Sequence, residues 1–124
     1  MGLIWCEQLS WPPSGNQLIR TSWKARRHYP SEQYVDWDRI NLATILAMPT
    51  LPIIDYPVRL RLVFRPPNRM RYDLDNRTKA VQDLLVKAGV IQDDHARIIS
   101  HVHLEGLPSI KGEPGHVIVA ICTI

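Results

Sequence analysis

The chain has 124 residues and carries 15 Lys and Arg against 12 Asp and Glu, a net charge of +3. That length supports one hydrophobic core but not two, so residues 1–124 are read as a single domain. A 45% hydrophobic and 22% charged composition excludes a disordered acidic or basic tail, and the small basic excess permits nucleic acid as a partner without requiring it.

Leu3–Leu9 is predicted as a first strand, stopped by SWPPSGN (Ser10–Asn16), where Pro12, Pro13 and Gly15 make a turn-rich loop. Arg20, Lys24, Arg26 and Arg27 then read as a basic loop, with Trp23 and Tyr29 interleaved. After Pro30, Ser31 is placed to cap a helix running to about Met48, where Pro49 and Pro52 stop it. VRLRLVFR (Val58–Arg65) is the clearest strand: Val58, Leu60, Leu62 and Phe64 fall on one face, Arg59, Arg61 and Arg65 on the other. Pro66 and Pro67 end it, and an irregular basic loop leads to Asp73. A helix follows from about Asn76 to Ala88, with Val81, Leu84, Leu85 and Ala88 as its apolar stripe and Gly89 as its left-handed stop. Two strands, Arg97–Glu105 and His116–Ile124, close the chain. Lys111, Gly112, Pro114 and Gly115 between them suggest a hairpin. These elements make a mixed α/β (α+β) domain, one mixed sheet packed by two helices.

Several function classes drop out. Cys6 and Cys122 are too few for a disulfide scaffold and have no zinc-ligand companions, so they are read as reduced, buried thiols. No stretch has the pattern of a signal peptide, the Met-Gly start meets Cys6 where a myristoylation motif wants Ser or Thr, and the apolar runs are too short to span a bilayer. The expected location is cytoplasmic, with no membrane partner. P-loop, dinucleotide and nucleophile-elbow motifs are missing. His101 and His103 alternate on one predicted strand face, most simply as solvated histidines, and His28, His95 and His116 have no companions. The four tryptophans read as core and loop anchors.

RYDLDNRTK (Arg71–Lys79) carries the chemistry. Asp73, Asp75 and Asn76 sit where side-chain oxygens cap a helix and where negative charge suits its dipole. Capping uses one side chain, yet three acceptors stand within four residues, and a second pair, Asp93–Asp94, follows the same helix. Clustered carboxylates are what Mg²⁺ or Mn²⁺ takes as ligands. A calcium loop starting at Asp73 fails, because Arg77 and Leu84 fall at ligand positions and the central glycine is missing. From Asn76 to Ala88 the helix rises about 18 Å, and the six steps on to Asp94 reach about 20 Å fully extended. Asp94 therefore rejoins Asp73 and Asp75 only if Gly89–Asp93 runs nearly straight back. Otherwise it sits apart or serves a neighbouring subunit.

Arg65, Arg69, Arg71, Arg77 and Lys79 surround these acids in sequence. Acids alone repel a nucleic acid and bases alone bind it without cutting, so both together point to metal-dependent phosphodiester hydrolysis. Lys79 lies one turn after Asp75 and can face the same side.

DLDNRTKAVQDLLVKAGVIQDD (Asp73–Asp94), together with WPPSGN (Trp11–Asn16), resembles the RusA family of bacterial and phage Holliday-junction resolvases over essentially the whole chain. The shared pattern is D-L-D-N, a lysine three residues beyond the Asn, a K-A-G helix end and a D-D pair. The resemblance implies a homodimeric endonuclease that nicks four-way junction DNA symmetrically, using Mg²⁺ or Mn²⁺, in recombination and repair. It implies Asp73, Asp75 and Asp94 as catalytic metal ligands, Asp93 as the supporting acid and Lys79 as the important base. Arg69, Arg71, Arg77 and Lys79 are the expected phosphate-gripping set. The sequence departs from the family at Tyr72, where a basic residue is frequent, at Arg77, where an apolar one is usual, and after Asp94. Symmetric nicking also suits two identical sites related by a two-fold axis. The rival readings are a non-catalytic nucleic-acid-binding protein whose acids are only helix caps, and a metal-dependent nuclease acting on flaps or RNA.

Overall fold

Alternating and helically spaced apolar residues are realised as six strands and two helices. In chain order these are β1 (Leu3–Ser10), β2 (Ile19–Ser22), β3 (Arg27–Pro30), α1 (Glu32–Leu46), β4 (Val58–Arg65), α2 (Thr78–Lys87), β5 (Ile99–Gly106) and β6 (His116–Cys122). The computed structural model describes residues 2–15, 19–22 and 27–124. Trp23, Lys24 and Arg26, and the side chains of Arg20, Arg27 and Tyr29, lie outside the described set.

The main sheet is ordered β1-β6-β4-β5, with β4 antiparallel to β6 and parallel to β5. Val58, Leu60, Leu62 and Phe64 of β4 point to one face, joined there by Val117, Val119 and Ile121 of β6 and by Trp5 and Leu9 of β1. Both helices cover that face. α1 contributes Trp37 and Ile45, and α2 contributes Ala80, Val81, Leu84 and Leu85, all in one buried cluster. Ser31 caps α1 as expected, its Oγ accepting from Tyr34 N at 3.2 Å. Ser10 then fixes α1 against β1: its backbone N donates to Asn41 Oδ1 at 2.9 Å, and its carbonyl accepts from Trp37 Nε1 at 2.9 Å.

The cysteines are not both buried, Cys6 being exposed and Cys122 half-buried, and two expectations of topology are also corrected. The last two strands do not form a hairpin. β5 and β6 flank β4 on opposite sides. The connection between them must therefore step over the end of β4, where Leu107 N donates to Phe64 O at 2.8 Å and Arg65 donates to Pro108 O at 2.7 Å. The glycines and proline there do make a turn, with Gly112 at φ +82, but it joins strands that are not neighbours. The second correction concerns the basic loop, which contains a two-stranded antiparallel ribbon pairing Ile19 with Pro30 and Ser22 with Arg27. The β-branched Ile19 and Thr21 favour this extended backbone.

The helix expected from Asn76 begins as a single 3-10 turn, Asp75–Arg77, that runs into α2. Gly89 adopts φ +79 and ends it, and Val90 N returns to Leu85 O at 3.1 Å. The chain then turns back. Ile54 and Ile91 form a parallel bridge, Ile54 N donates to Val90 O at 3.0 Å, and Gln92 N donates to Ile54 O at 2.8 Å. That pinning aims the residues after Gln92 towards the start of α2.

Candidate active site at the start of the second helix

Two stretches far apart in sequence form the platform of the site. Trp11 packs edge-on against Phe64 and Tyr72, with ring centroids 6.1 and 5.0 Å apart. The Arg77 guanidinium lies 4.6 Å over the Trp11 ring and donates to the Pro12 carbonyl. Close approaches complete the fit. A Cβ on Gly15 would stand 2.5 Å from Asn76 Oδ1, and one on Gly106 would stand 2.9 Å from the Tyr72 hydroxyl. WPPSG and YDLDNR therefore pack as one unit, which fixes the backbone that carries the acids.

Asp73 and Asp75 are exposed, and Asn76 is half-buried. Neither the 3-10 turn nor α2 has a side-chain cap; the Leu74 carbonyl instead accepts from Arg77 N and Thr78 Oγ1. Neither the Asp73 nor the Asp75 carboxylate has a hydrogen-bond or ion-pair partner among the described residues. A shallow hollow lined by Met70, Arg71, Tyr72 and Asp73 opens beside them.

Lys79 gathers the remaining charges. Its Nζ lies 2.9 Å from Asp83 and 3.2 Å from Asp94. Gly89–Asp93 thus brings Asp94 back to Lys79, near the start of α2, within one chain. The paired carboxylates raise the Lys79 pKa, Asp83 more than Asp94, and the Lys79 ammonium holds the Asp94 carboxyl below the usual carboxylate range. Asp93 braces the turn, its Oδ1 accepting from Asp94 N at 2.7 Å. Asp83 was not singled out in the sequence, although its position four residues after Lys79 on one helix was the available signal.

Arg69 and Arg71 are exposed beside the acids, as a phosphate-binding role requires. Arg77 is not. It is 7% exposed, and burial against Trp11 pushes its pKa down. The expectation that Arg77 grips phosphate is corrected: its guanidinium lies over Trp11 and donates to Pro12, and its buried Nε has no hydrogen-bond partner among the described residues.

The donor chemistry of Asp73, Asp75, Asp93 and Asp94 suits a hard divalent cation, all being carboxylate oxygens. Among the described residues, however, no three His, Cys, Asp or Glu side chains stand close enough to hold one ion, and Asp94 is engaged by Lys79. No described helix is long and apolar enough to cross a membrane.

Residues 10–121 match the family model described as Endodeoxyribonuclease RusA, a span containing both packed stretches and the Asp93–Asp94 pair. The chain is 37% identical over 105 residues to the crossover junction endodeoxyribonuclease RusA of Escherichia coli K12, covering 84% of this chain and 83% of that protein. The corresponding protein of Enterobacteria phage 82 is also 37% identical, and that of Shigella sonnei is 36% identical, over the same shares.

Proposed function

The chain belongs to the RusA family of endodeoxyribonucleases, and from that premise we propose that it cuts crossover (Holliday) junctions in DNA by metal-dependent hydrolysis, as a homodimer placing one nick on each of two strands. The observation that carries the chemistry is the state of the acids. Asp73 and Asp75 are held on a rigid platform yet take no part in capping the helix they precede. Charges so placed cost stability through mutual repulsion unless a ligand uses them.

In this reading Asp73, Asp75 and Asp94, supported by Asp93, would be the ligands of Mg²⁺ or Mn²⁺, although the described residues of one chain do not bring three of them within reach of one ion. The ion would polarise the phosphodiester and lower the pKa of a water. Lys79 is a point charge within reach of the phosphate, and its ion pairs with Asp83 and Asp94 keep it at the site before DNA arrives. Arg69 and Arg71 hold backbone phosphates on either side of the cut. Two copies present two such sites to a substrate with matching symmetry.

The test is digestion of labelled junction, flap, duplex, single-stranded DNA and RNA with Mg²⁺, with Mn²⁺ and with a chelator. Paired nicks in the junction, lost on chelation, are expected. Mobility shifts without nicks would make the chain a binder only, and faster cutting of flaps or RNA would reassign the substrate.

A further inference from the structure

Among the described residues the second face of the four-stranded sheet carries no helix, and it sets charged side chains around half-buried Val63, Ile118 and Ala120. β4 presents Arg59, Arg61 and Arg65 there, opposite the buried Val58, Leu60, Leu62 and Phe64. Parallel register sets His101 beside Arg59 and His103 beside Arg61, and antiparallel register sets His116 beside Arg65. The facing carboxylate is Glu105, whose Oε2 lies 3.1 Å from Arg61. A groove runs between the strands, lined by Arg59, Arg61, His101, His103, Glu105 and Cys122 among others. Arg59 Nε is buried within it and has no hydrogen-bond partner among the described residues.

The row points at the acidic site. β4 leads directly into the loop bearing Arg69, Arg71 and then Asp73, so residues 59–71 hold five arginines on one continuous path. Arg59 to Arg65 spans about 20 Å at ~3.3 Å per residue. That is about the rise of six base pairs at ~3.4 Å each.

We propose that this helix-free face is a track for the DNA backbone: a duplex arm of the junction lies along β4, its phosphates held by Arg59, Arg61 and Arg65, with His101 and His103 as neighbouring hydrogen-bond partners, and feeds its strand to the acidic loop. The inference rests on the reading of the chain as a junction nuclease and adds a second contact surface to it. A second copy of the chain is the poorer occupant. A two-fold partner would bring the same three arginines against these, and each face offers a single carboxylate to offset them.

The experiment measures junction affinity against salt concentration in Asp75→Asn protein, which is expected to bind without cutting. Adding Arg59→Gln and Arg61→Gln is expected to weaken binding at least tenfold and to reduce the slope of log affinity on log salt by about 2, as two lost phosphate contacts require. Glu105→Gln, which removes the one carboxylate, is expected to tighten binding several-fold and guards against misreading a folding defect in the double variant. Unchanged affinity and slope in both variants, in a protein whose wild type cuts junctions, overturn the track and leave the nuclease reading intact. A change in oligomeric state with unchanged DNA affinity also overturns it. Failure of the wild type to cut any DNA overturns the nuclease reading instead.

Discussion

Arg77 and Lys79 stand two residues apart in NRTK and meet opposite fates. Arg77 turns inward, stacked on Trp11 and bonded to Pro12. Lys79 turns outward, with its side chain 59% exposed, and among the described residues is held by Asp83 and Asp94. Sequence alone made both of them phosphate-binding cations. The structure makes one a rivet between two loops and leaves the other at the chemistry. A positive charge near an acidic cluster is therefore informative only once its burial is known.

Variants of these neighbours sharpen the comparison. The largest expected effect lies with the acids that both cations flank: Asp75→Asn lowers junction cutting by at least about 10²-fold, while a mobility-shift assay finds junction binding retained. Wild-type cutting by that variant would remove Asp75 from the site. Lys79→Ala is next, with cutting reduced by about 10²-fold and unfolding free energy changed by less than about 1 kcal/mol, because its ion pairs are largely exposed.

Arg77→Ala inverts that pattern. Losing a buried guanidinium bond and its stacking costs about 2–4 kcal/mol in denaturant unfolding, while the folded fraction still cuts. Arg77→Lys recovers only part of this, since an ammonium cannot stack as a planar fork. A stability loss below about 0.5 kcal/mol for Arg77→Ala would erase the distinction between rivet and reagent.

The smallest effect is a pH dependence. Asp94 is held below the ordinary carboxyl value by Lys79, so its stabilising contribution is present above about pH 4 and is lost as pH falls through the folded-state value. Lys79 is raised, by Asp83 first and Asp94 second, so its contribution is present below about pH 10 and is lost as pH rises through the folded-state value. The stability gap between wild type and Lys79→Ala is therefore flat across the neutral range and narrows at both extremes. A gap that varied between pH 6 and 8 would mean another group engages Lys79.

Local patterns were legible where one period dominated. The alternation of β4, the Ser31 cap, the stripe of α2 and the Gly89 stop all follow from side chains within a few residues. Strand adjacency did not, because β5 and β6 are separated by a turn that looks like a hairpin while β4 lies between them. The clustering of Asp73, Asp75, Asp93 and Asp94 was visible in the sequence, as was the nearly straight return that Asp94 needs to rejoin the others; the structure returns it to Lys79. What stayed hidden was pairwise and long-range: Trp11 beneath Arg77, Gly15 against Asn76, and Asp83 sharing Lys79. No periodicity encodes such contacts, and the inward turn of Arg77 depends on an aromatic ring 66 positions upstream.

The place of β6 has a consequence for biogenesis. β1 is translated well before β6, its sheet partner among the described residues. The platform under the acids leans on the segment that follows β1, so the nascent chain carries the aspartates long before it can frame them. Closing that loop last makes for a slow folding step. It also means that a translation product stopping short of His116 leaves β1 unpaired, an invitation to aggregation and clearance rather than to partial activity.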